Sequence, residues 1–325
     1  MSAYFHFYLC GRIAAEWLIN MKFLVFADLH YAPGVFYGSE LDTPRMFIRR
    51  AQEEGCDFIL HAGDLCHGPS RVPELMEIFD NSPIPVYHCL GNHDTDGTPY
   101  LETLKLYHMP DGYYHVDIAG HRIIVLDPNH CFVDGQYVHY DMGNYFQWPG
   151  NRDYTPPEQL QWLEKTIDES PYPCLLVSHD SYEREFNSSR DYKTVQQIIR
   201  NANEKSPHKV LMVMNGHHHR DFIRLLDNVI HWDINSVTYD WVGEPEHHGL
   251  YPQELYEKWA CMKNIVPYTD PLYAIVTIEG TTVTIEGTES TMLNSINREH
   301  IGAKLLDGAG RSVTPRIQSA KIALL

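Results

Sequence analysis

The sequence predicts an α/β fold, in which one domain of two packed sheets carries helices. Short apolar runs alternate with amphipathic segments in the first half of the chain, and in the second half pairs of apolar runs flank two-residue turns. Alternation of strands and helices is typical of helices packed on a sheet, and runs paired around tight turns indicate hairpins. The 325 residues are enough for one large domain or two small ones, with a sizeable core.

The first half contains three predicted strand–helix units and then a hairpin. Strands are predicted where a short apolar run is bounded by polar residues, and helices where apolar residues recur on one helical face. The predicted strands are Lys22–Ala27, Phe58–His61 and Ile84–Leu90, and the predicted helices are Thr43–Glu54, Val72–Phe79 and a segment near Tyr100–Tyr107. The hairpin pairs Tyr113–Ile118 with Arg122–Leu126.

The second half repeats this pattern less regularly. Its predicted helices are Pro156–Asp168 and Thr194–Asn203, and its single strands are Leu175–Ser178 and Val210–Met214. Two further hairpins pair Phe222–Leu226 with Val229–Ile234, and Tyr273–Glu279 with Thr282–Glu286. We therefore expect the domain over residues 21–287, after an N-terminal extension of unclear role, 1–20, and before a C-terminal tail, 288–325, packed on the domain.

Two long segments fit neither pattern. Pro128–Tyr154 and Tyr239–Trp259 are both rich in aromatic residues and histidine. Long irregular segments inside compact domains often form lids or binding loops. Two roles remain open for them: walls of a substrate site, or surfaces that pack on each other or join copies of the chain in a homo-oligomer.

Charge and cysteine content limit the partners. The 25 basic and 43 acidic residues give a formal net charge of −18, which repels phosphate backbones and argues against extended nucleic acid as a partner. A small phosphorylated substrate is compatible with this charge if the site holds its own cations. No apolar run reaches the roughly 18 residues of a transmembrane helix, so no membrane partner is expected. Seven scattered cysteines without a CxxC pair favour reduced thiols in a cytoplasmic protein.

Four groups of residues that can bind metal follow predicted strands directly. They are Asp28-Leu29-His30, Gly63-Asp64, Gly91-Asn92-His93-Asp94 and Gly216-His217-His218-His219. Ligands bind at the carboxyl ends of the strands of an open α/β sheet, so we expect these groups to converge. Residues two apart in extended chain point the same way, which lets Asp28 and His30 reach one ion, and His217 and His219 flank a pair. His179, at the end of another strand, is a fifth candidate because it accompanies the other four.

The donor types predict a pair of metal ions. Oxygen and imidazole ligands without a thiolate suit Mn²⁺, Fe²⁺ or Fe³⁺, and Zn²⁺. Two ions about 3.5–4 Å apart need a carboxylate that bridges them, and Asp64 is the natural candidate. Glycine before Asp64, Asn92 and His217 permits the tight turns that such ligand loops require.

The order of these motifs, DLH, GD, GNHD, a strand-end histidine and GHHH, resembles the calcineurin-like metallophosphoesterase superfamily from Lys22 to about Glu286. The resemblance implies a four-layer αββα sandwich of two mixed sheets flanked by helices. It implies two ions, one held by Asp28, His30, Asp64 and His219, and the other by Asp64, Asn92, His179 and His217. His93 corresponds to the catalytic histidine of the family, which binds no metal.

Departures from the family pattern narrow the expected class of enzyme. Leu65-Cys66-His67 follows GD, and Asp94 ends GNHD, whereas Ser/Thr protein phosphatases of the family typically carry an acidic residue and arginine after GD and then GNHE. The chain is more similar to small bacterial-type phosphodiesterases, including cyclic-nucleotide and glycerophosphodiester hydrolases. His67 has no role in this comparison. Asp94 is expected to cap a helix or, as the less favoured role, to orient His93 or a ligand histidine.

The expected activity is hydrolysis of a small phosphodiester. A water that bridges the two ions, acidified to hydroxide, would attack phosphorus, and His93 would act near the leaving group. The alternatives are a nuclease or a phosphomonoesterase with the same site. A binding scaffold that has lost catalysis is a third alternative, and the complete ligand set with His93 argues against it.

Overall fold

The computed structural model describes residues 20–184, 188–243, 246–296, 300 and 313–325. The N-terminal extension expected from the sequence lies outside the described residues, apart from Asn20, which begins the first strand. Within the described ranges, no helix is both long enough and apolar enough to span a membrane.

The described residues form strands and helices that alternate through most of the chain. In chain order the strands are β1 (Asn20–Phe26), β2 (Phe58–Ala62), β3 (Val86–Cys89), β4 (Tyr114–Ile118), β5 (His121–Val125), β6 (His130–Val133), β7 (Gln136–His139), β8 (Cys174–Val177), β9 (Val210–Asn215), β10 (Phe222–Leu226), β11 (Val229–Asp233), β12 (Tyr239–Trp241), β13 (Ile265–Pro267), β14 (Ala274–Glu279), β15 (Thr282–Gly287) and β16 (Ala320–Ala323). The α-helices are α1 (Asp42–Glu53), α2 (Pro73–Asp80), α3 (Tyr100–Leu106), α4 (Pro157–Asp168), α5 (Tyr192–Lys205) and α6 (Gln253–Lys258).

Most of the strands belong to two six-stranded mixed sheets. The first has the order β16-β15-β14-β1-β2-β3, and the second the order β10-β11-β9-β8-β5-β4. Strands β1, β2 and β3 run parallel to one another, as do β5, β8, β9 and β11. The parallel strands of each sheet therefore end at a common edge, and the loops that leave them lie side by side.

Alternating side chains of the second sheet enter two different apolar cores. Ile123 and Val125 of β5 belong to the core shared with the first sheet, whereas the intervening Ile124 packs with Leu163 of α4 and Val195 of α5. On the first sheet, the ring of Phe47 in α1 stacks on Phe26 with centroids 4.5 Å apart. The layers are thus helices, sheet, sheet and helices, which confirms the predicted αββα architecture.

Strand burial explains why the sequence signal was clear in the centre of the sheets. Every residue of β2, β5, β8 and β9 is buried, which is usual for parallel strands covered on both faces and gives runs of mostly apolar residues. The elements expected there differ from the observed ones only at their ends.

The strands and the helix that the sequence pattern did not predict are short. The segment Pro128–Tyr154, expected to be irregular, contains the β6–β7 hairpin, and Tyr239–Trp259 contains β12 and α6. The tail contributes β16, which extends the first sheet by pairing with β15. These elements have three to six residues, too few for a periodic pattern to be distinctive, and β12, β13 and β16 depend on partners remote in sequence.

Truncation of a buried side chain tests the outer face of the second sheet. Leu176 of β8 is fully buried in the core that α4 and α5 cover. Leu176→Ala should lower the free energy of unfolding by about 2–5 kcal/mol, because the shorter side chain leaves a cavity. Leu101→Ala in α3, where the side chain is 76% exposed, is the control and should change it by at most about 0.5 kcal/mol. Equal losses in urea denaturation would contradict this placement.

Candidate metal centre

The loops after β1 and β2 are joined by backbone hydrogen bonds that continue the strand pairing. The amide of Asp28 donates to the carbonyl of Gly63 at 3.0 Å, and the amide of His30 donates to the carbonyl of Asp64 at 2.9 Å. The loop after β9 is tied to the same place, because the amide of His217 donates to both carboxylate oxygens of Asp28, at 3.0 and 3.2 Å. Three of the predicted ligand loops are therefore fixed to one another.

Five of the predicted ligands have a left-handed backbone. The φ angles are positive for Asp28, His30, Asp64, His217 and His219, between 47° and 68°. This conformation is uncommon for residues other than glycine and persists only where the surroundings enforce it. Its concentration in these residues indicates that the loops hold particular side-chain directions at a cost in backbone energy.

Glycines next to the ligands are required by space as well as by turn geometry. A Cβ atom on Gly91 would lie 2.1 Å from Oδ1 of Asp64, and one on Gly216 would lie 2.6 Å from Oδ2 of Asp28. Both distances are far below van der Waals contact. Each glycine thus lets one ligand loop approach the carboxylate carried by another loop.

Asp28, His30 and His219 form the first group of candidate ligands, with their ligand atoms within 4.8 Å of one another. Oδ1 of Asp28 lies 3.3 Å from Nε2 of His219 and 3.7 Å from Nε2 of His30. The two imidazole Nε2 atoms are 3.1 Å apart. All three side chains are almost completely buried.

Asp64, His179 and His217 form the second group, within the same limit of 4.8 Å. Nε2 of His179 lies 3.1 Å from Oδ2 of Asp64. The same carboxylate oxygen is 3.5 Å from Nε2 of His30, so Asp64 lies between the two groups. This is the position that a bridging carboxylate needs.

The ring nitrogens of three histidines are oriented for metal binding. Nδ1 of His179 faces the carbonyl of Ala62 at 3.0 Å, and Nδ1 of His219 faces the carbonyl of Tyr239 at 3.1 Å. Each Nδ1–H therefore donates outward and leaves Nε2 turned towards the carboxylates. Nδ1 of His30 is 3.1 Å from Nε2 of His67, which gives the third ring a similar outer partner. Such outer contacts commonly orient imidazole ligands.

The negative charge of the carboxylates at the centre also favours bound cations. Burial by itself would raise the pKa of Asp28 and Asp64, but neighbouring histidines, chiefly His219 and His179, hold both below their ordinary range. Burial lowers the pKa of His30 to about 3. Burial by itself would lower the pKa of His179, but the charges of Asp64 and Asp28 outweigh burial and raise this pKa well above its ordinary value. The carboxylates are therefore ionised and need positive charge beside them.

Oδ1 of Asn92, a predicted ligand, is buried and makes no hydrogen bond with the described residues. Nε2 of His179 is also buried, and it lies 3.1 Å from Oδ2 of Asp64 without the geometry of a hydrogen bond. A buried polar atom without a partner is costly, and a coordinated cation would satisfy both. Asn92 reaches the centre through its loop, since the amide of His93, the next residue, donates to Oδ1 of Asp64 at 2.8 Å. The residues present thus fit two bound metal ions.

Asp94 joins the two ligand loops and does not cap a helix, so that expectation was wrong. Its carboxylate accepts hydrogen bonds from the hydroxyl of Tyr107 and from four backbone amides, those of Asp64, Leu65, Cys66 and Gly91. The helix that follows, α3, begins only at Tyr100. Burial raises the pKa of Asp94 to about 7, whereas the five donors favour its ionised form. Asp94 consequently fixes the spacing between Asp64 and the Gly91–Asp94 loop.

Asp96, which sequence reasoning missed, is the partner of His93. Nδ1 of His93 lies 2.6 Å from Oδ2 of Asp96, three residues later in the same loop. Burial lowers the pKa of His93, but Asp64 and the hydrogen bond with Asp96 outweigh it, so this pKa is raised. His67 lies 3.6 Å from the same Asp96 oxygen, which links it to His93 as well as to His30. The carboxylate in GNHDTD is the sequence signal that could have identified Asp96.

Both aromatic segments reach the centre. The hydroxyl of Tyr145 lies 3.3 Å from Nδ1 of His93 and accepts from Nδ2 of Asn92 at 3.4 Å. The ring of Tyr239 is 5.6 Å from that of His30 and stacks on Phe36, with centroids 5.2 Å apart. Trp241, 47% exposed, lies at the edge of Phe36. Phe36 lies outside both segments, and no pattern in the sequence distinguished it.

The sequence profile of calcineurin-like phosphoesterases matches residues 21–221. Among curated proteins, none matches the chain. A solved dimetal phosphatase from Danio rerio is similar with a TM-score of 0.58 and 15% identity, over 84% of this chain and 98% of that chain. GAP50, the anchor in the inner membrane complex of Plasmodium, is similar with a TM-score of 0.53 and 11% identity, over 94% of this chain and 89% of that chain.

At such low identities the two structures show the shared fold alone. The match to the sequence profile supports membership of the family, because it spans well over half of the chain and includes every predicted ligand loop. The DLH, GD, GNHD and GHHH motifs that the profile covers all meet at one edge of the two sheets. The chain therefore belongs to the calcineurin-like phosphoesterase family, whose members are metal-dependent phosphoesterases.

Proposed function

We propose that this protein is a phosphodiesterase that acts on a small substrate and uses two metal ions. Asp28, His30, Asp64 and His219 would hold one ion, and Asp64, Asn92, His179 and His217 the other. The observation that carries this proposal is the inward orientation of the histidine Nε2 atoms around two buried carboxylates. Asp64, between the two groups, would bridge the ions.

The surroundings of the centre favour a diester over a monoester. Among the described residues, the ion pairs of Asp28 and Asp64 involve histidines only, with no lysine or arginine. A diester carries one negative charge, whereas a monoester carries close to two at neutral pH. Trp241, 47% exposed and supported by the buried rings of Phe36 and Tyr239, would contact an ester group of the substrate. The net charge of −18 supports a small substrate and argues against extended nucleic acid.

The described residues divide the chemistry between them. When bound, the two ions supply neutralisation of the phosphate charge and an acidified water as the nucleophile. His93 holds a proton on its ring, and Asp96 stabilises the protonated form through Nδ1. Nε2 of His93 is then free to donate to the leaving oxygen. The hydroxyl of Tyr145, beside both His93 and Asn92, helps to position this ring.

The same proposal includes the identity of the metals and the cellular compartment. Ligands of nitrogen and oxygen without sulfur support Mn²⁺, Fe²⁺ or Fe³⁺, and Zn²⁺ as the metals. Six cysteines in the described residues are free thiols, which supports a reducing, cytoplasmic environment.

Substrate preference tests the proposed activity. With added Mn²⁺, kcat/KM should be at least about tenfold higher for bis(p-nitrophenyl) phosphate than for p-nitrophenyl phosphate, a difference of about 1.4 kcal/mol in the barrier. An oligothymidylate should be hydrolysed more slowly than the aryl diester. A preference for the monoester would instead identify a phosphomonoesterase, and a preference for the oligonucleotide a nuclease.

Removal of the proposed bridge tests the two-ion centre. Asp64→Ala should lose about two metal equivalents per chain and its activity, because two ions at such short separation need a shared anionic ligand. Inductively coupled plasma mass spectrometry of the purified variant measures the loss. Asp42→Ala, at a carboxylate 94% exposed, is the control and should keep the wild-type metal content. Retention of both ions by Asp64→Ala would disprove the bridging role.

Replacement of His93 tests its role as the acid. His93→Ala should keep its metal content and lose about 10²–10⁴-fold in turnover. The loss should be larger for an alkyl ester than for a nitrophenyl ester, since nitrophenolate hardly needs a proton to leave. His115→Ala, at an exposed histidine of β4, is the control and should leave turnover unchanged. Equal losses on both esters with full metal content would exclude protonation of the leaving group.

A further inference from the structure

A second cluster of metal-binding side chains lies outside the centre described above. It consists of Asp127, His130 and His139, whose ligand atoms lie within 4.8 Å of one another. Asp127 follows β5, another of the parallel strands. His130 and His139 face each other across the β6–β7 hairpin as a cross-strand pair, with ring centroids 4.7 Å apart. The hairpin therefore presents both imidazoles on one face, next to the carboxylate.

The Asp127 carboxylate is buried, with 1% exposure, and one of its oxygens is already satisfied. Oδ1 accepts from the amide of Asn129 at 3.1 Å and from its Nδ2 at 2.9 Å. Oδ2 lies 2.6 Å from Nε2 of His139. The backbone of Gly112 closes the other side, since a Cβ there would lie 2.4 Å from Oδ2. Asp127 is thus an enclosed anion with one oxygen turned to the histidines.

Both ring nitrogens of His139 face oxygen acceptors. Nδ1 is 2.5 Å from the carbonyl of Tyr140, and Nε2 faces Oδ2 of Asp127. A neutral imidazole has one N–H, which can satisfy only one of these two acceptors. The other contact therefore requires either a second proton on the ring or a metal ion bound to that nitrogen.

The environment of His130 indicates whether the cluster suits a proton or a metal ion. Its Nδ1 atom is buried and has no hydrogen-bond partner among the described residues. A proton on His139 would satisfy Asp127 but leave the buried Nδ1 of His130 without a partner. A metal ion would use all three side chains.

We infer that Asp127, His130 and His139 form a third metal site, mononuclear and suited to Zn²⁺. Two histidines and one carboxylate with an open fourth position are a common zinc donor set. The outer contacts match those of metal ligands, because His139 donates to a backbone carbonyl and Asp127 accepts from Asn129. This site goes beyond the proposed function and does not depend on it.

The ion would connect the β6–β7 hairpin to the Gly91–Asp94 loop. Nδ2 of Asn129, which binds Asp127, also donates to the carbonyl of Leu90 at 2.9 Å, directly before the Gly91–Asp94 loop. The ring of Tyr100 in α3 stacks on His139 with centroids 3.8 Å apart. A filled site would therefore brace the ends of β3 and β5 and the hairpin segment that leads to Tyr145.

Metal stoichiometry tests the site directly. After equilibration with Zn²⁺ and dialysis, the wild type should hold about three equivalents and His130→Ala about two, because one ligand of three is lost. Nδ1 of His130 has no partner to lose, so this variant should fold. His108→Ala is the matched control, as His108 also faces a carboxylate, Asp80 at 2.9 Å, in an exposed pair without a second histidine. It should retain about three equivalents.

Asp64→Ala separates this site from the two-ion centre. The variant should keep about one equivalent of Zn²⁺, and Asp64→Ala/His130→Ala none. Zinc should raise the Tm of the single variant but not that of the double variant, since a ligand that binds only the folded state stabilises it. An Asp64→Ala variant that holds no zinc, or a His130→Ala variant with as many equivalents as the wild type, would overturn the inference. Failure of the two-ion proposal would appear separately, as ions retained at that centre by Asp64→Ala.

Discussion

The hydrogen bonds of one buried carboxylate, Asp94, determine the geometry on which the metal centre depends. Asp94 accepts from amides in the loop after β2 and in the loop after β3, so the two loops share one anionic anchor. Loss of this side chain would leave several buried amides without a partner, at about 1–3 kcal/mol each. The anchor also brings Gly91 close enough to Asp64 that no larger residue fits. The positions of Asp64, Asn92 and His93 therefore follow from a side chain that need not touch metal or substrate.

The centre concentrates features that are unfavourable in a protein without cations. Two carboxylates and several imidazoles are buried together, and five residues adopt left-handed backbone conformations. Burial of charge is costly unless opposite charge lies close by, and strained backbone persists only when the surrounding structure enforces it. Metal ligands must be deprotonated carboxylates and neutral imidazoles, which is the state that burial gives His30 and that the histidines give Asp28 and Asp64. The carboxylates raise the pKa of His179, so a bound cation would take the place of the proton on that ring. The fold thus supplies a preformed anionic cage in which bound cations would offset the cost.

A chain of contacts around His93 begins at the candidate metal ligand His30 and ends at the proposed acid. His67 touches the ring of His30 on one side and lies near Asp96 on the other, and Asp96 binds His93. His67 therefore has a structural place that comparison with the family pattern had not given it. The loop that carries His93 begins beside Leu90, where Asn129 connects it to Asp127. The proposed zinc site and the proposed two-ion centre consequently support the same short loop from opposite ends.

The sequence by itself determined an α/β domain of two packed sheets, the central strands in chain order, and the loops that carry metal-binding residues, and the resemblance of its motifs implied the four-layer αββα arrangement. It could do so because buried parallel strands give runs of mostly apolar residues, and each motif directly follows such a run. Only the tertiary structure decided that Asp94 joins two loops, that Tyr145 reaches His93, that β16 completes a sheet, and that His130 and His139 meet beside Asp127. These features depend on contacts between residues far apart in the chain, or on the register of a short hairpin. Local periodicity and spacing contain no information about either, since such contacts form only when the two sheets and their loops have packed.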